Sequence, residues 1–392
     1  MKKSIFPLLL GGLGIGTTEF VIMGLLPDVA RDFRISIPEA GHFISAYALG
    51  VVVGAPLLVM MTSHLPPKKT LLGFMVIFTL FNGLSAIAGS NVLLLVSRFF
   101  AGLPHGAFFG VGAVVASRLA ADGKKAQAIS MMFAGLTIAN LAMVPLGTWI
   151  GHNYSWRYTF GLVSVIGLIT LLFIKWWLPE MPANKNASPR NEMRIFQDLN
   201  VWLVLLMIAI GTGGLFAWIS YIAPLMTEVS GFADDSVSSI MILAGSGMVV
   251  GNIIGGKLAD RFKPVVLCAC LFAAMATVLL LIFFFAEYKV MSLILTFFAG
   301  ALSMAIGSPI QILMINTAKD AEMLGAAATQ AAFNTGNTLG AFLGGLPIAA
   351  GFGYTSPEIV GMIMALTGTS FAILLIRRHR AASVIPEALA NS

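Results

Sequence analysis

The sequence predicts an all-α membrane protein with twelve transmembrane helices in two pseudo-symmetric six-helix bundles. Three observations carry this expectation. Of the 392 residues, 58% are hydrophobic and only 10% are charged, whereas soluble chains carry about 25% charged residues. Twelve apolar stretches each reach the roughly 20 residues that a bilayer-spanning helix needs. Finally, the chain repeats itself at an offset near half its length.

The composition excludes a soluble enzyme, a nucleic-acid-binding module and a disordered scaffold. The net charge of +6 fits Lys and Arg gathered in cytoplasmic loops better than a nucleic-acid partner. The only two cysteines, Cys268 and Cys270, rule out a disulfide framework, a Cys-based zinc finger or an iron–sulfur site. The sequence shows no metal-ligand cluster, nucleophile–base pair or nucleotide motif, so no enzyme activity, metal or cofactor is expected.

The spans are expected at about 5–26, 39–61, 70–89, 91–117, 126–150, 158–178, 201–227, 237–256, 265–286, 290–316, 324–350 and 356–376. The first follows Lys2 and Lys3 and resembles a leader, but it carries Glu19 in its apolar run and lacks a small-x-small cleavage site. It is read as a helix. With the N-terminus inside, Lys68, Lys69, Arg118, Lys124, Lys125, Lys175, Lys185, Arg190, Arg194, Lys257, Arg261, Lys263, Lys319, Arg377, Arg378 and Arg380 fall on the cytoplasmic side. Only Arg31, Arg34, Arg157 and Lys289 fall outside. Positively charged loops stay in the cytoplasm, so both termini are expected there, in a bacterial inner membrane. The domains are then 1–178, a cytoplasmic linker at 179–199, and 200–392.

The repeat is specific. Gly14, Gly16 and Pro27 recur as Gly211, Gly213 and Pro224, each shifted by 197. GVVVG at 50–54 recurs as GMVVG at 247–251, and RFFAG at 98–102 as TFFAG at 296–300. Asn140 and Gly147 recur as Asn337 and Gly344. Duplicated bundles of this kind place a binding site near the midplane and alternate its access by rocking.

Two charges stand inside apolar stretches, Glu19 and Arg98. A charge at the bilayer centre costs roughly 2.5–3.5 kcal/mol on insertion scales. Their repeat mates are Phe216 and Thr296, so the scaffold itself does not require either charge. At 1.5 Å per residue both lie about 10 Å below the expected outer boundary, where a direct or water-bridged pair is expected. A buried carboxyl favours its protonated form and a nearby guanidinium favours the ionised one. Glu19 is therefore the candidate proton carrier; the plainer alternative is a static ion pair holding two helices.

Other polar residues have two readings each. His105 shares a helical stripe with Arg98, Gly102 and Phe109, and either meets solute or protons or bonds a neighbouring helix. Trp218 and Tyr221 either contact a solute or belong to an interfacial aromatic belt. Asn334 and Asn337 share a helix face, with Asn140 as the repeat mate of Asn337. Amides at midplane bind a polyol or hold helices together. Gln311 is a weaker candidate. His42, His64, His152 and His379 read as solvated residues near helix ends.

Several motifs resemble the major facilitator superfamily. These are Leu94, Arg98 and Gly102 in the fourth span; Gly256, Asp260 and Arg261 after the eighth; Trp156, Arg157 and Phe160 opening the sixth; and Leu178-Pro179-Glu180 leaving it. GTTEFVIMGLLP, AGHFISAYALGVVVGAP, GLPHGAFFGVGA and VPLGTWIG are similar to the drug/proton antiporter-1 group, most of all to AraJ-type arabinose or sugar efflux transporters. The loop after the second span keeps only the basic pair Lys68 and Lys69 of that family's motif. The fifth span keeps Pro145, with Val144, Thr148 and Trp149 where glycines are usual. The resemblance implies a twelve-helix monomer that exports small solutes, sugars or drugs, against proton entry. It also implies that Asp260 and Arg261 latch the inner gate. A proton-independent facilitator and a multidrug exporter are the alternatives.

Overall fold

The computed structural model describes residues 3–35, 37–183, 193–233, 236–319 and 321–390. Among these residues it contains helices and no strand. Lys2, and residues 184–192 of the expected linker with Lys185 and Arg190, lie outside the described residues.

The chain forms two compact units. The first comprises Met1–Ile195 with Ala318–Asn334, and the second Phe196–Thr317 with Thr335–Ser392. The helices of the first half are α1 (Phe6–Phe33), α2 (Ile37–Thr62), α3 (Pro67–Ala86), α4 (Asn91–Leu119), α5 (Lys125–Ile138), α6 (Val144–Asn153) and α7 (Trp156–Trp177). A π turn, Ala139–Met143, joins α5 to α6 into one span. Later come α8 (Leu199–Gly211), α9 (Gly213–Ser220), a helical turn at Ile222–Pro224 and a π turn at Leu225–Val229. Then follow α10 (Val237–Ala259), α11 (Pro264–Phe285), α12 (Lys289–Ala305), α13 (Gly307–Thr317), α14 (Glu322–Ala349) and α15 (Ser356–Ala390).

Local chemistry sets where helices start. Ser90 and Ser155 accept backbone N–H bonds from Leu93 and Arg157 at the openings of α4 and α7, satisfying donors that the helix leaves free. Pro67 and Pro264, repeat mates, open α3 and α11, where a missing N–H costs nothing.

Among the described residues, eleven spans are long and apolar enough to cross a bilayer. The remaining expected stretch, 324–350, is a single helix, α14, but Thr329, Gln330, Asn334, Thr335, Asn337 and Thr338 leave it less apolar than the rest. Three other expectations change. The first helix continues through Pro27 to Phe33, ended by Arg34 in the left-handed region at φ 56°. The seventh span is interrupted at Thr212 and Tyr221, and the tenth at Ile306. Large side chains such as Val290, Phe342 and Met61 are exposed on these helices, as fits lipid rather than water.

The repeat in sequence is a repeat in packing. In the first unit α2 lies against α4 and α3 against α7, and in the second α10 lies against α12 and α11 against α15. A Cβ on Gly50 or Gly54 would collide with the carbonyls of Phe99 or Leu103, and one on Gly102 with that of Tyr47. The mates do the same: Gly247 meets Phe297, Gly251 meets Ala301 and Gly300 meets Ala244. The same glycines bring the same helices into backbone contact twice.

Candidate functional site

The first unit buries a polar cluster built from four helices. Its centre is Arg98, two turns into α4 and fully buried. Its Nη1 donates to the Thr18 hydroxyl at 2.8 Å and its Nη2 to the Thr18 carbonyl at 3.0 Å. The Thr18 hydroxyl in turn donates to Asn82 Oδ1 at 2.5 Å, and Asn82 Nδ2 donates to the Phe78 carbonyl at 2.8 Å. The guanidinium lies over the Tyr47 ring, 4.3 Å from its centroid, with Phe160 at 5.4 Å. Tyr47 closes the cluster through its hydroxyl, 3.2 Å from Nδ1 of the buried His105. The His105 ring also packs on Phe109, 5.4 Å between centroids.

This arrangement solves an electrostatic problem. An unpaired charge taken out of water costs several kcal/mol. Here the Thr18 hydroxyl and carbonyl and two aromatic faces offset that cost without a bonded carboxylate. The Nε of Arg98 is buried and has no partner.

Glu19 follows Thr18 on α1 and is partly exposed. Among the described residues it forms no ion pair with Arg98. Of the direct or water-bridged pair expected, the direct form is absent; both Nη atoms hold Thr18 instead. Sequence spacing singled out Glu19, Arg98 and His105. It did not reveal Thr18, Tyr47 or Asn82, whose hydrogen bonds to Arg98, His105 or each other span 58 to 80 residues of sequence.

The second unit shows the same positions without the cluster. The mates of Thr18, Tyr47 and Asn82 are Leu215, Ala244 and Leu279, all members of one buried apolar cluster. Arg98 is replaced by Thr296, buried with an unpartnered hydroxyl. A common scaffold thus carries polar chemistry in one unit and apolar packing in the other.

The motif at the start of α7 has a mechanical role. Arg157 Nη1 pairs with Asp32 at 2.5 Å, and its Nη2 donates to the Ala88 carbonyl at 2.9 Å. Trp156 Nε1 donates to Asp32 at 3.2 Å. One dipeptide therefore ties the end of α1 to the end of α3, while Phe160 lies beside Arg98. Lys68 pairs with Glu180 of the Leu-Pro-Glu exit at 3.3 Å. His152 is not a merely solvated residue; it pairs with Asp28 at 2.5 Å.

The other candidate residues are dispersed. Asn140 lies in the π turn after α5 and donates to the Leu136 carbonyl at 3.2 Å. Trp218 is fully buried in the apolar cluster of the second unit, which excludes an interfacial belt for it. Tyr221 donates to the Ala341 carbonyl at 2.8 Å. Asn334 donates to the Gln330 carbonyl at 3.0 Å, and Asn337 is partly exposed on the same helix. Asp260 follows α10 and Arg261 is exposed beside it. Gln311, the weaker candidate, is fully buried on α13 with both amide atoms unpartnered. Among the described residues no group of His, Cys, Asp and Glu could hold a metal ion.

Comparison with known proteins agrees with the fold. AraJ of Escherichia coli (strain K12), assigned as a transporter, is 38% identical over 97% of this chain and 96% of its own length. The inner membrane transport protein YdhP of the same strain is 39% identical over 95% of this chain and 96% of its own length. Among solved structures, the transporter FucP in an outward conformation superposes with a TM-score of 0.78 at 17% identity, covering 95% of this chain and 98% of that one. The proton:xylose symporter XylE gives 0.75 at 17%, covering 94% of each. These are transporters, and the chain is not an enzyme. The family model described as Major Facilitator Superfamily matches residues 8–345, and the chain belongs to that superfamily.

Proposed function

We propose that this protein is a secondary exporter of small neutral or weakly polar solutes, sugars or sugar derivatives, coupled to proton entry through Glu19 and Arg98. Its two halves, 1–178 and 200–392, alternate access to the solute, with both termini in the cytoplasm.

One observation carries the reading: a fully buried Arg98 whose Nε has no partner, anchored to the residue beside Glu19. When Glu19 is protonated, Arg98 rests on Thr18 and Tyr47. When Glu19 ionises, the free Nε edge offers it a charge-assisted hydrogen bond. The two states of one carboxyl then correspond to two positions of α1 against α4. His105, bonded to Tyr47, senses the same change. Asn140, Gln311, Tyr221, Asn334 and Asn337 are the polar groups proposed to meet solute, and Asp260 with Arg261 to latch the inner gate. Trp218 is left out of this set because it is buried in packing.

The relatives named as transporters support carriage of a solute. The family resemblance to sugar exporters supports the substrate class. One proton crossing 100 mV supplies about 2.3 kcal/mol, which sustains roughly a 50-fold gradient of a neutral solute.

The test is purified protein in liposomes with a trapped pH dye, given pentoses, disaccharides, nucleobases and cationic drugs. Solute-evoked proton flux that Glu19→Gln abolishes is expected. Solute flux without proton flux, unchanged in Glu19→Gln, would leave a facilitator in which Glu19 and Arg98 only join two helices.

A further inference from the structure

The second unit contains a charge-bearing residue that sequence position marks as a helix end. Glu358 lies in the first turn of α15, yet it is fully buried, and neither carboxyl oxygen has a hydrogen-bond partner. Trp218 on α9 is likewise fully buried, and its Nε1 is unpartnered. These two orphaned groups are complementary, one a donor and the other a pair of acceptors.

The packing brings them to one level. Gly211 meets Gly368 and Gly214 meets Gly361, so α8 and α9 run antiparallel to α15. Trp218 is one turn beyond Gly214. Glu358 is one turn before Gly361. Glu358, Gly361, Met362 and Ala365 form one stripe of α15, and Met362 and Ala365 pack in the cluster that holds Trp218, Ile222, Ile282 and Ala286.

Among the described residues, the helices packed on α15 bring no charge to neutralise an ionised Glu358. The elements packed on α15 are α8, α9 and α11. None contains Asp, Glu, Lys, Arg or His. Cys268 and Cys270 lie near the opposite end of α11. Tyr221, Glu228, Glu287 and Lys289 belong to adjoining segments, and Tyr221 is already bonded to Ala341. A metal cation needs several oxygen ligands, which Ile, Leu and Trp do not offer. A proton needs only the carboxyl. An indole N–H and two carboxyl oxygens also supply the two to four partners that a buried water requires.

We propose that Glu358 and Trp218 form a buried proton-and-water site in the second unit, the carboxyl holding a proton and one water joining it to the indole N–H. The site is independent of the cluster around Arg98. Its Trp218 side rides on α9, an eight-residue helix between interruptions at Thr212 and Tyr221.

Infrared difference spectroscopy tests this on the full chain in lipid nanodiscs near neutral pH, in a Glu19→Gln background that silences the first unit's carboxyl. A protonated-carboxyl C=O band that disappears in Glu358→Gln is expected, and it should shift in frequency in Trp218→Phe. Loss of ionised-carboxylate bands in Glu358→Gln would overturn the proposal, as would a C=O band that Trp218→Phe leaves in place. If Glu358→Gln does not fold, carbon-13 labelling of glutamate in the same background reads the site directly. One neutral carboxyl whose shift moves in Trp218→Phe is then expected, and glutamates that are all ionised would overturn it.

Discussion

Arg98 grips Thr18 with both arms of its guanidinium, one on the side-chain hydroxyl and one on the backbone carbonyl. The bond to the carbonyl fixes α4 against the main chain of α1, one residue from Glu19. Any shift of α4 that keeps this grip must carry the main chain beside Glu19 with it.

A lysine cannot replace that grip. A single ammonium does not span hydroxyl and carbonyl while lying flat on Tyr47. Arg98→Lys is expected to reduce solute-coupled proton flux at least about tenfold, equivalent to roughly 1.4 kcal/mol. It should also unfold at lower temperature in detergent than Arg98→Thr, which removes the buried charge altogether. Equal behaviour of Arg and Lys would mean that only the charge matters.

Thr18→Val should cost about 1–3 kcal/mol, because it strands Arg98 Nη1 and Asn82 Oδ1 without a hydroxyl. Adding Asn82→Leu, the residue that the second unit has at 279, removes one of those stranded groups. A double-mutant cycle on unfolding midpoints should give a coupling of about 0.5–3 kcal/mol. Simple additivity would show that the two side chains do not share a network.

Tyr47 does two jobs that two substitutions separate. Tyr47→Phe loses the bond to His105, worth about 0.5–1.5 kcal/mol, but keeps the ring under Arg98. Tyr47→Ala, the mate's residue, also loses the ring and leaves a cavity, in the range of about 3–5 kcal/mol. Thermal unfolding in detergent should rank wild type above Phe and Phe well above Ala. Ala equal to Phe would refute the cation–π contact.

The two glycine seams should respond alike. Gly54→Ala and Gly251→Ala each place a methyl against a carbonyl of a facing helix, and overpacking of this kind costs about 1–3 kcal/mol. Similar losses in unfolding midpoint are expected from both. A loss from one alone would mean that the repeat does not extend to the load each seam bears.

The sequence displayed the helices because a bilayer allows few alternatives, and it displayed the duplication because glycines at backbone contacts cannot drift. Glu19 and Arg98 were legible because charge in an apolar run is costly. Tyr47 and Asn82 were not, since an aromatic or an amide in an apolar helix reads as packing until its partner is known. The break in the seventh span was hidden by the apolar run around it: Thr212 stands among Gly211, Gly213 and Gly214, and Tyr221 three residues before Pro224. Glu358 was passed over because a carboxylate in the first turn normally reaches solvent, and only the packing of α15 on α9 and α11 denies it that. Trp218 likewise sat where an aromatic belt belongs, and the fold buried it instead.

The π turn at Ala139–Met143 has a consequence for direction. A wider turn holds an extra residue, so the chain after it is rotated about the axis relative to a regular helix. Asn337 and Gly344, seven residues apart on the unbroken α14, lie on one side of it. Asn140 and Gly147 have the same separation, but Asn140 sits inside the π turn and Gly147 beyond it, where it meets Val21 and Thr159 as Gly344 meets Ala217 and Tyr221. The two halves spell this motif identically and wind it differently, so along the fifth span and α14 identity of letters is not identity of backbone.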